Sequence, residues 1–297
     1  MQSLNELFEK KENRSLEIIA MEVLEGLYHG KHKSPFHGFS SEFKEYTHFQ
    51  AGDNPRQIDW KLYGKTDKLY KKRHQDERNI QVLFVLDTSS SMYFPVENNL
   101  KLEKAVQWIA IMCHILHQQH DAFGLILLQK NKIIESPISN SRSHLQRTIE
   151  QLEVIRKNTE KPDNTNYSDE FLKIMESLGT KKMIFLLSDL LFPASEYPAF
   201  INACRSLAFR KNQLTLLHVT HPKEEYVPEL NEGQQITFSD LETQEIVQLS
   251  HVVLNQSLQQ LKKQIDEEII YPLLKKGIKS KKFNSDKPIG LLIKETI

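Results

Sequence analysis

Residues 80–92 read Ile-Gln-Val-Leu-Phe-Val-Leu-Asp-Thr-Ser-Ser-Ser-Met, an apolar run that stops abruptly at a carboxylate and a row of hydroxyls. The run has strand length and is rich in Val and Leu. A strand that is apolar toward both faces belongs in the middle of a parallel sheet covered by helices. Ligands of open α/β sheets sit beyond the carboxyl ends of the strands, so Asp87, Ser89 and Ser91 are placed at that rim. Their Asp-x-Ser-x-Ser spacing offers one carboxylate and two hydroxyls from one turn, hard oxygens suited to a divalent cation such as Mg²⁺. A polar turn capping the following helix fits the same residues, because Asp and Ser are common N-caps.

The downstream pattern favours the cation. An amphipathic helix over Lys101–Gln119 is followed by an apolar strand at Ala122–Leu128, a short edge strand at Lys132–Ile134 and a helix at Ser143–Ile155. A polar loop containing Thr165 leads into a helix over Asp169–Leu178. A third core strand, Met183–Leu187, then ends in Ser188-Asp189. A helix near Glu196–Phe209 and a strand at Leu214–Val219 continue the alternation. Such alternation means an α/β fold, a doubly wound and mostly parallel sheet with right-handed crossovers. Two core strands thus deliver Asp87 and Asp189 to one sheet edge, with Thr165 on a loop between them in sequence.

Upstream, Leu4–Tyr28 reads as a charged helix packing on the domain. From His32 to Asp76 aromatics alternate with charges, glycines and a proline, which reads as short strands and turns. Within it, Gly52-Asp53-Asn54-Pro55-Arg56-Gln57-Ile58-Asp59-Trp60 reads as a buried polar knot fixing the segment to the sheet. Beyond Val219, a hairpin is expected around Asp240–Thr243, then a long amphipathic helix over Val252–Lys275. A basic cluster (Lys275, Lys276, Lys279, Lys281, Lys282) reads as a solvated helix end, and Pro288–Ile297 as a terminal helix. Three regions result: 1–78, the N-terminal helix and signature segment; 79–220, the α/β core; and 221–297, a hairpin and helical extension of that core.

Composition limits the function classes. Among 297 residues, Lys+Arg and Asp+Glu stand at 39 each, so overall charge points to neither nucleic acid nor membrane. Cys113 and Cys204 both fall in expected helices and read as buried, reduced thiols. No window holds eighteen consecutive apolar residues and no signal-peptide pattern opens the chain, so a cytoplasmic protein is expected.

Asp87-Thr88-Ser89-Ser90-Ser91, Thr165 and Asp189 resemble the three loops of the metal-ion-dependent adhesion site of von Willebrand factor A domains. The Gly52–Trp60 segment and Ser41-Glu42-Phe43 resemble the signature of the bacterial domain of unknown function 58 family, typically associated with MoxR-type AAA+ ATPases. The likeness covers roughly Pro35–Val219. One departure is visible, and one further contrast. Family members often carry Arg where Thr47 or His48 stands, and many have membrane helices.

The resemblance implies that Ser89 and Ser91 bind Mg²⁺ or Mn²⁺ directly, and Thr165 directly or through water. Asp87 and Asp189 would hold metal-bound waters, and Glu42, Gly52, Asp53, Arg56, Asp59 and Trp60 would form the structural signature. It implies a non-enzymatic interaction module whose cation accepts a partner's carboxylate, the first partner being a MoxR-type ATPase. Two other classes stand beside it. One is a phosphatase-like hydrolase with Asp87 as nucleophile, but such enzymes carry a second carboxylate two residues on, where Ser89 stands. The other is a nucleic-acid binder using basic patches at Lys61–Arg73 or Lys275–Lys282. Because Asp87 and Asp189 are expected at the rim as like charges, removing either is expected to leave the fold intact and to raise apo stability slightly.

Overall fold

The computed structural model describes residues 15–29, 43–48, 60–74, 81–129, 132–157, 177–227, 235–239 and 246–296. In chain order the helices and strands are α1 Leu16–His29, β1 Phe43–His48, α2 Trp60–Thr66, β2 Tyr70–His74, β3 Gln81–Asp87, α3 Leu100–Gln118, β4 Ala122–Gln129, β5 Lys132–Glu135, α4 Arg142–Lys157, β6 Met183–Ser188, α5 Tyr197–Phe209, β7 Gln213–Thr220, α6 Pro222–Glu225, β8 Gln235–Ser239, β9 Ile246–Ser250, α7 His251–Ile265, α8 Tyr271–Leu274, β10 Lys279–Asn284 and α9 Ile289–Thr296.

Six strands form the main sheet in the order β10-β7-β6-β3-β4-β5. All neighbours run parallel except β5, which returns antiparallel along β4. β3 is buried from Val82 to Asp87, as expected for a strand covered on both faces. Its side chains alternate between two cores. Val82, Phe84 and Leu86 join α1, α3, α4 and α9 on one face, while Leu83 and Val85 join α5 and the α7–α8 region on the other. Trp108 of α3 packs edge-on against Phe84 and Phe185, with centroids 5.9 and 5.3 Å away. Its indole N–H donates to Thr296 Oγ1 at 2.8 Å, which ties α9 into the first core. No helix among the described residues is long and apolar enough to cross a membrane.

Three elements differ from expectation. Trp60–Thr66 is helical where strands and turns were expected; seven residues make barely two turns, too few for a 3.6-residue period to emerge. The long C-terminal helix is interrupted by a π-turn at Asp266–Ile270, just ahead of Pro272. Proline has no N–H and its ring crowds the carbonyl four residues back, so the preceding turn widens. The third difference is β10. Its lysines had suggested a solvated helix end, but Lys279–Asn284 is an edge strand parallel to β7. Lysines are one of the ways proteins blunt an exposed sheet edge, which hides such a strand from an alternation count. The expected hairpin is present as antiparallel β8 and β9.

Candidate metal centre

The chain runs from β3 to β4 and β5 on one side, then crosses to β6 on the other side of β3. The gap between the carboxyl ends of β3 and β6 is therefore a topological switch point, the place where open α/β sheets bind ligands. Leu86 lies beside Leu187, so Asp87 and Asp189 emerge next to each other.

Asp87 meets two neutral donors. Its Oδ1 accepts the Ser89 N–H at 2.9 Å and its Oδ2 accepts the Ser188 hydroxyl at 2.8 Å. Thr88 pins the turn from behind, because its hydroxyl donates to the Leu128 carbonyl of β4 at 2.7 Å. A short 3₁₀ turn, Ser90–Tyr93, then carries Ser91 back toward Ser89, leaving their hydroxyl oxygens 3.0 Å apart. Adjacent oxygens around octahedral Mg²⁺, each about 2.1 Å from the ion, are about 3.0 Å apart. The hydroxyl pair thus has the spacing of two neighbouring ligands, and the donor set fits a hard divalent ion. Among the described residues no group of three or more His, Cys, Asp or Glu has metal-binding geometry.

Asp189 is held differently. Its Oδ1 accepts the Leu191 N–H at 3.2 Å, and its Oδ2 accepts the Lys101 ammonium at 2.7 Å. The same ammonium donates to Glu224 Oε1 at 2.6 Å. Lys101 is wholly buried, with its Nζ 5.9 Å from the Phe94 ring centroid. Burial alone would lower its pKa, but the Asp189 and Glu224 carboxylates outweigh it and keep the ammonium firmly charged. Burial pushes the Glu224 carboxyl up to about 7, against the pull of Lys101. His218 sits against the same group; burial holds its pKa down, opposed by the Asp189 charge and a hydrogen bond to the Asp189 backbone.

Between the two aspartates, Ser188 takes the Leu190 N–H at 3.0 Å while donating to Asp87. Leu190 itself has φ 61°, a left-handed conformation costly for a bulky residue. It is retained because Ser188 and Asp189 bind the backbone N–H groups of Leu190 and Leu191 and the Leu190 side chain fills the second core.

Of the five expected metal residues, the structure brings together Asp87, Ser89, Ser91 and Asp189, while Thr165 lies outside the described residues. Glu42, Gly52, Asp53, Arg56 and Asp59 lie outside them too. Trp60, expected in a buried knot, opens α2 with 63% exposure and touches Tyr63 edge-on. The expected gain in apo stability on removing Asp189 is also corrected, since this carboxylate is buried and paired, and its loss would strand half of the Lys101 contacts.

Lys101 and Glu224 escaped the sequence reading. A signal existed: Lys101 stands on the apolar stripe of α3 with Ala105, Trp108, Ile109 and Met112, a place for a buried side chain. It also lies in a helix first turn, where the macrodipole disfavours a cation without a partner.

The family model described as "Protein of unknown function DUF58" matches residues 45–267, most of the chain. This chain belongs to the DUF58 family. Uncharacterized protein Rv1480 of Mycobacterium tuberculosis is 25% identical to this DUF58 protein over 131 residues, which are 44% of this chain and 41% of the relative. Uncharacterized protein Mb1516 of Mycobacterium bovis matches with the same figures, so the chain spans under half the length of these curated relatives. Among solved structures, the conserved hypothetical protein BatB from Bacteroides thetaiotaomicron superposes with a TM-score of 0.42 at 17% identity, over 73% of this chain and 98% of that one. The SpRpn10 VWA domain gives 0.33 at 10% identity, over 46% and 74%. The vWF domain of the pilus tip protein Mfa5 from Porphyromonas gingivalis gives 0.33 at 12%, over 72% and 92%.

Proposed function

We propose that this DUF58 protein is a protein-interaction module that grips an acidic side chain of its partner through a divalent cation, Mg²⁺ or Mn²⁺. The observation that carries the reading is the Ser89–Ser91 hydroxyl pair, 3.0 Å apart beside a fixed Asp87 at the switch point of the sheet. In this reading Ser89, Ser91 and Thr165 hold the ion, while Asp87 and Asp189 orient its waters. A bound cation supplies an electrophilic coordination position that a partner's Asp or Glu completes. The protein's own part is preorganisation. Thr88 and Ser188 fix the turn and the first carboxylate, so little ordering cost falls on the binding step.

Binding is favoured over hydrolysis by the same geometry. Both Asp87 oxygens accept hydrogen bonds, which blunts a nucleophile, and Ser89 occupies the position of the second carboxylate that aspartyl phosphatases use. The nucleic-acid reading is weakened at one of its patches, because Lys282 in β10 is paired with Glu225. The partner we would test first is a MoxR-type AAA+ ATPase from the same genome, a choice that rests on the family resemblance.

Titration calorimetry with MgCl₂ and MnCl₂ on wild type and Ser89→Ala, followed by co-purification of the ATPase with and without EDTA, tests the reading. One bound ion in wild type, lost in Ser89→Ala, together with a complex that dissolves in EDTA, is the expected result. A complex indifferent to both chelation and mutation would remove the cation from the contact surface.

A further inference from the structure

We infer that Lys101 is a built-in counter-ion that competes with the divalent cation for Asp189, and that Glu224 sets the strength of this competition. This rests on the cation site proposed above and assigns how tightly that site holds its ion.

The geometry carries the argument. The Lys101 ammonium lies 2.7 Å from Asp189 and 2.6 Å from Glu224, bridging the two carboxylates. It has no route into solvent, since the side chain is 0% exposed, and its backbone N–H is tied to the Phe94 carbonyl at the head of α3. A positive charge is therefore fixed against one of the two carboxylates meant to attract the ion. An approaching cation meets an Asp189 whose charge is already partly answered, and it meets the ammonium as a like charge. Such a site binds less tightly than its two aspartates alone would allow, which suits a contact that must release.

Glu224 changes the balance. It reaches the ammonium from α6, at the end of the adjacent strand β7, and keeps 22% exposure. The more of the ammonium Glu224 holds, the more of Asp189 faces the ion. Around this bridge stand His218, which hydrogen-bonds the Asp189 backbone, Asp266 of the π-turn, whose charge also acts on His218, and His221 ahead of α6, on which the Lys101 charge acts. Lys101 is thus a positioning residue that acts on the ion through Asp189.

The two variants predict shifts of opposite sign. Titration of full-length protein with MgCl₂ and with MnCl₂ should show Lys101→Met binding at least about tenfold tighter than wild type. Glu224→Gln, which leaves the ammonium committed to Asp189, should bind at least about threefold more weakly. Thermal unfolding should show a larger metal-induced rise in Tm for Lys101→Met than for wild type, because there the ion replaces a missing counter-charge. Should Lys101→Met fail to fold without metal, Glu224→Gln still decides the sign, being altered only at a partly exposed side chain. Equal or weaker binding by Lys101→Met, or equal or tighter binding by Glu224→Gln, overturns the inference while leaving the site intact. Absence of metal binding in wild type, or binding that Ser89→Ala does not change, overturns the site and the inference with it.

Discussion

Asp87 ends β3 and Asp189 follows β6, neighbouring strands of one sheet, and the two carboxylates are almost equally buried, at 1% and 2% exposure. Their surroundings differ in kind. Asp87 is held by a backbone N–H and a serine hydroxyl, dipoles that orient a charge without cancelling it. Asp189 is held by an ammonium that does both. Asp189 is thereby partly spent on the protein's own structure, through a full counter-charge at one of its oxygens. The contrast teaches that two aspartates at matching strand ends need not play matching parts, and that the second partner, more than the position, decides which is which.

The contrast breaks most readily through the partners. Lys101→Ala leaves the buried Asp189 facing the partly buried Glu224 with no cation between them and is expected to cost about 3–5 kcal/mol in urea unfolding of metal-free protein. Ser188→Ala, which removes one neutral donor to Asp87, is expected to cost about 1–2 kcal/mol. Equal costs would erase the distinction. The aspartates themselves come next. Asp189→Asn removes the charge opposite a buried ammonium and is expected to cost about 2 kcal/mol, whereas Asp87→Asn keeps an oxygen for the Ser89 N–H and is expected to cost about 1 kcal/mol or less. The reverse order would mean that Glu224 alone satisfies Lys101.

Acid titration sharpens the comparison from outside the rim. His114 of α3 is held below its ordinary pKa of 6.5, chiefly by burial and against the charge of Glu17. A depressed folded-state pKa gives stability that is present above about 6.5 and lost as the pH falls through the folded value. His114→Leu should therefore flatten the decline of stability below pH 6.5, measured by unfolding at stepped pH. A decline left unchanged would trace acid sensitivity to the other histidines that burial holds below 6.5, His144, His218 and His221. The smallest effect concerns salt. Glu225 pairs with Lys282 and Lys262 near the surface, so Glu225→Gln is expected to cost about 0.5 kcal/mol or less at low ionic strength and nothing in 1 M NaCl. The Lys101→Ala cost should barely change with salt.

The sheet could be read from sequence because β3, β6 and β7 are apolar runs that end sharply in polar residues, and a strand buried on both faces needs that composition. The Ser89–Ser91 turn could be read because its chemistry is local. Lys101 and Glu224 could not be found so simply, since their meeting joins a helix first turn to the helix after β7, a pairing that exists only once the sheet order is set. β10 was missed for another reason: its composition answers to solvent at an open edge, while its place in the sheet answers to β7.

That edge strand also orders events during synthesis. β6 and β7 are both complete well before Lys279–Asn284, the strand that covers the other side of β7 and leaves the ribosome only after α7 and α8. Throughout that interval the nascent chain carries an open row of amides and carbonyls along Leu214–Thr220, flanked by apolar side chains. Such an edge is a template for joining another unfinished chain. A version of the protein cut after α6 would keep that edge permanently and is expected to precipitate on expression, even though every residue of the Asp87 turn would still be present.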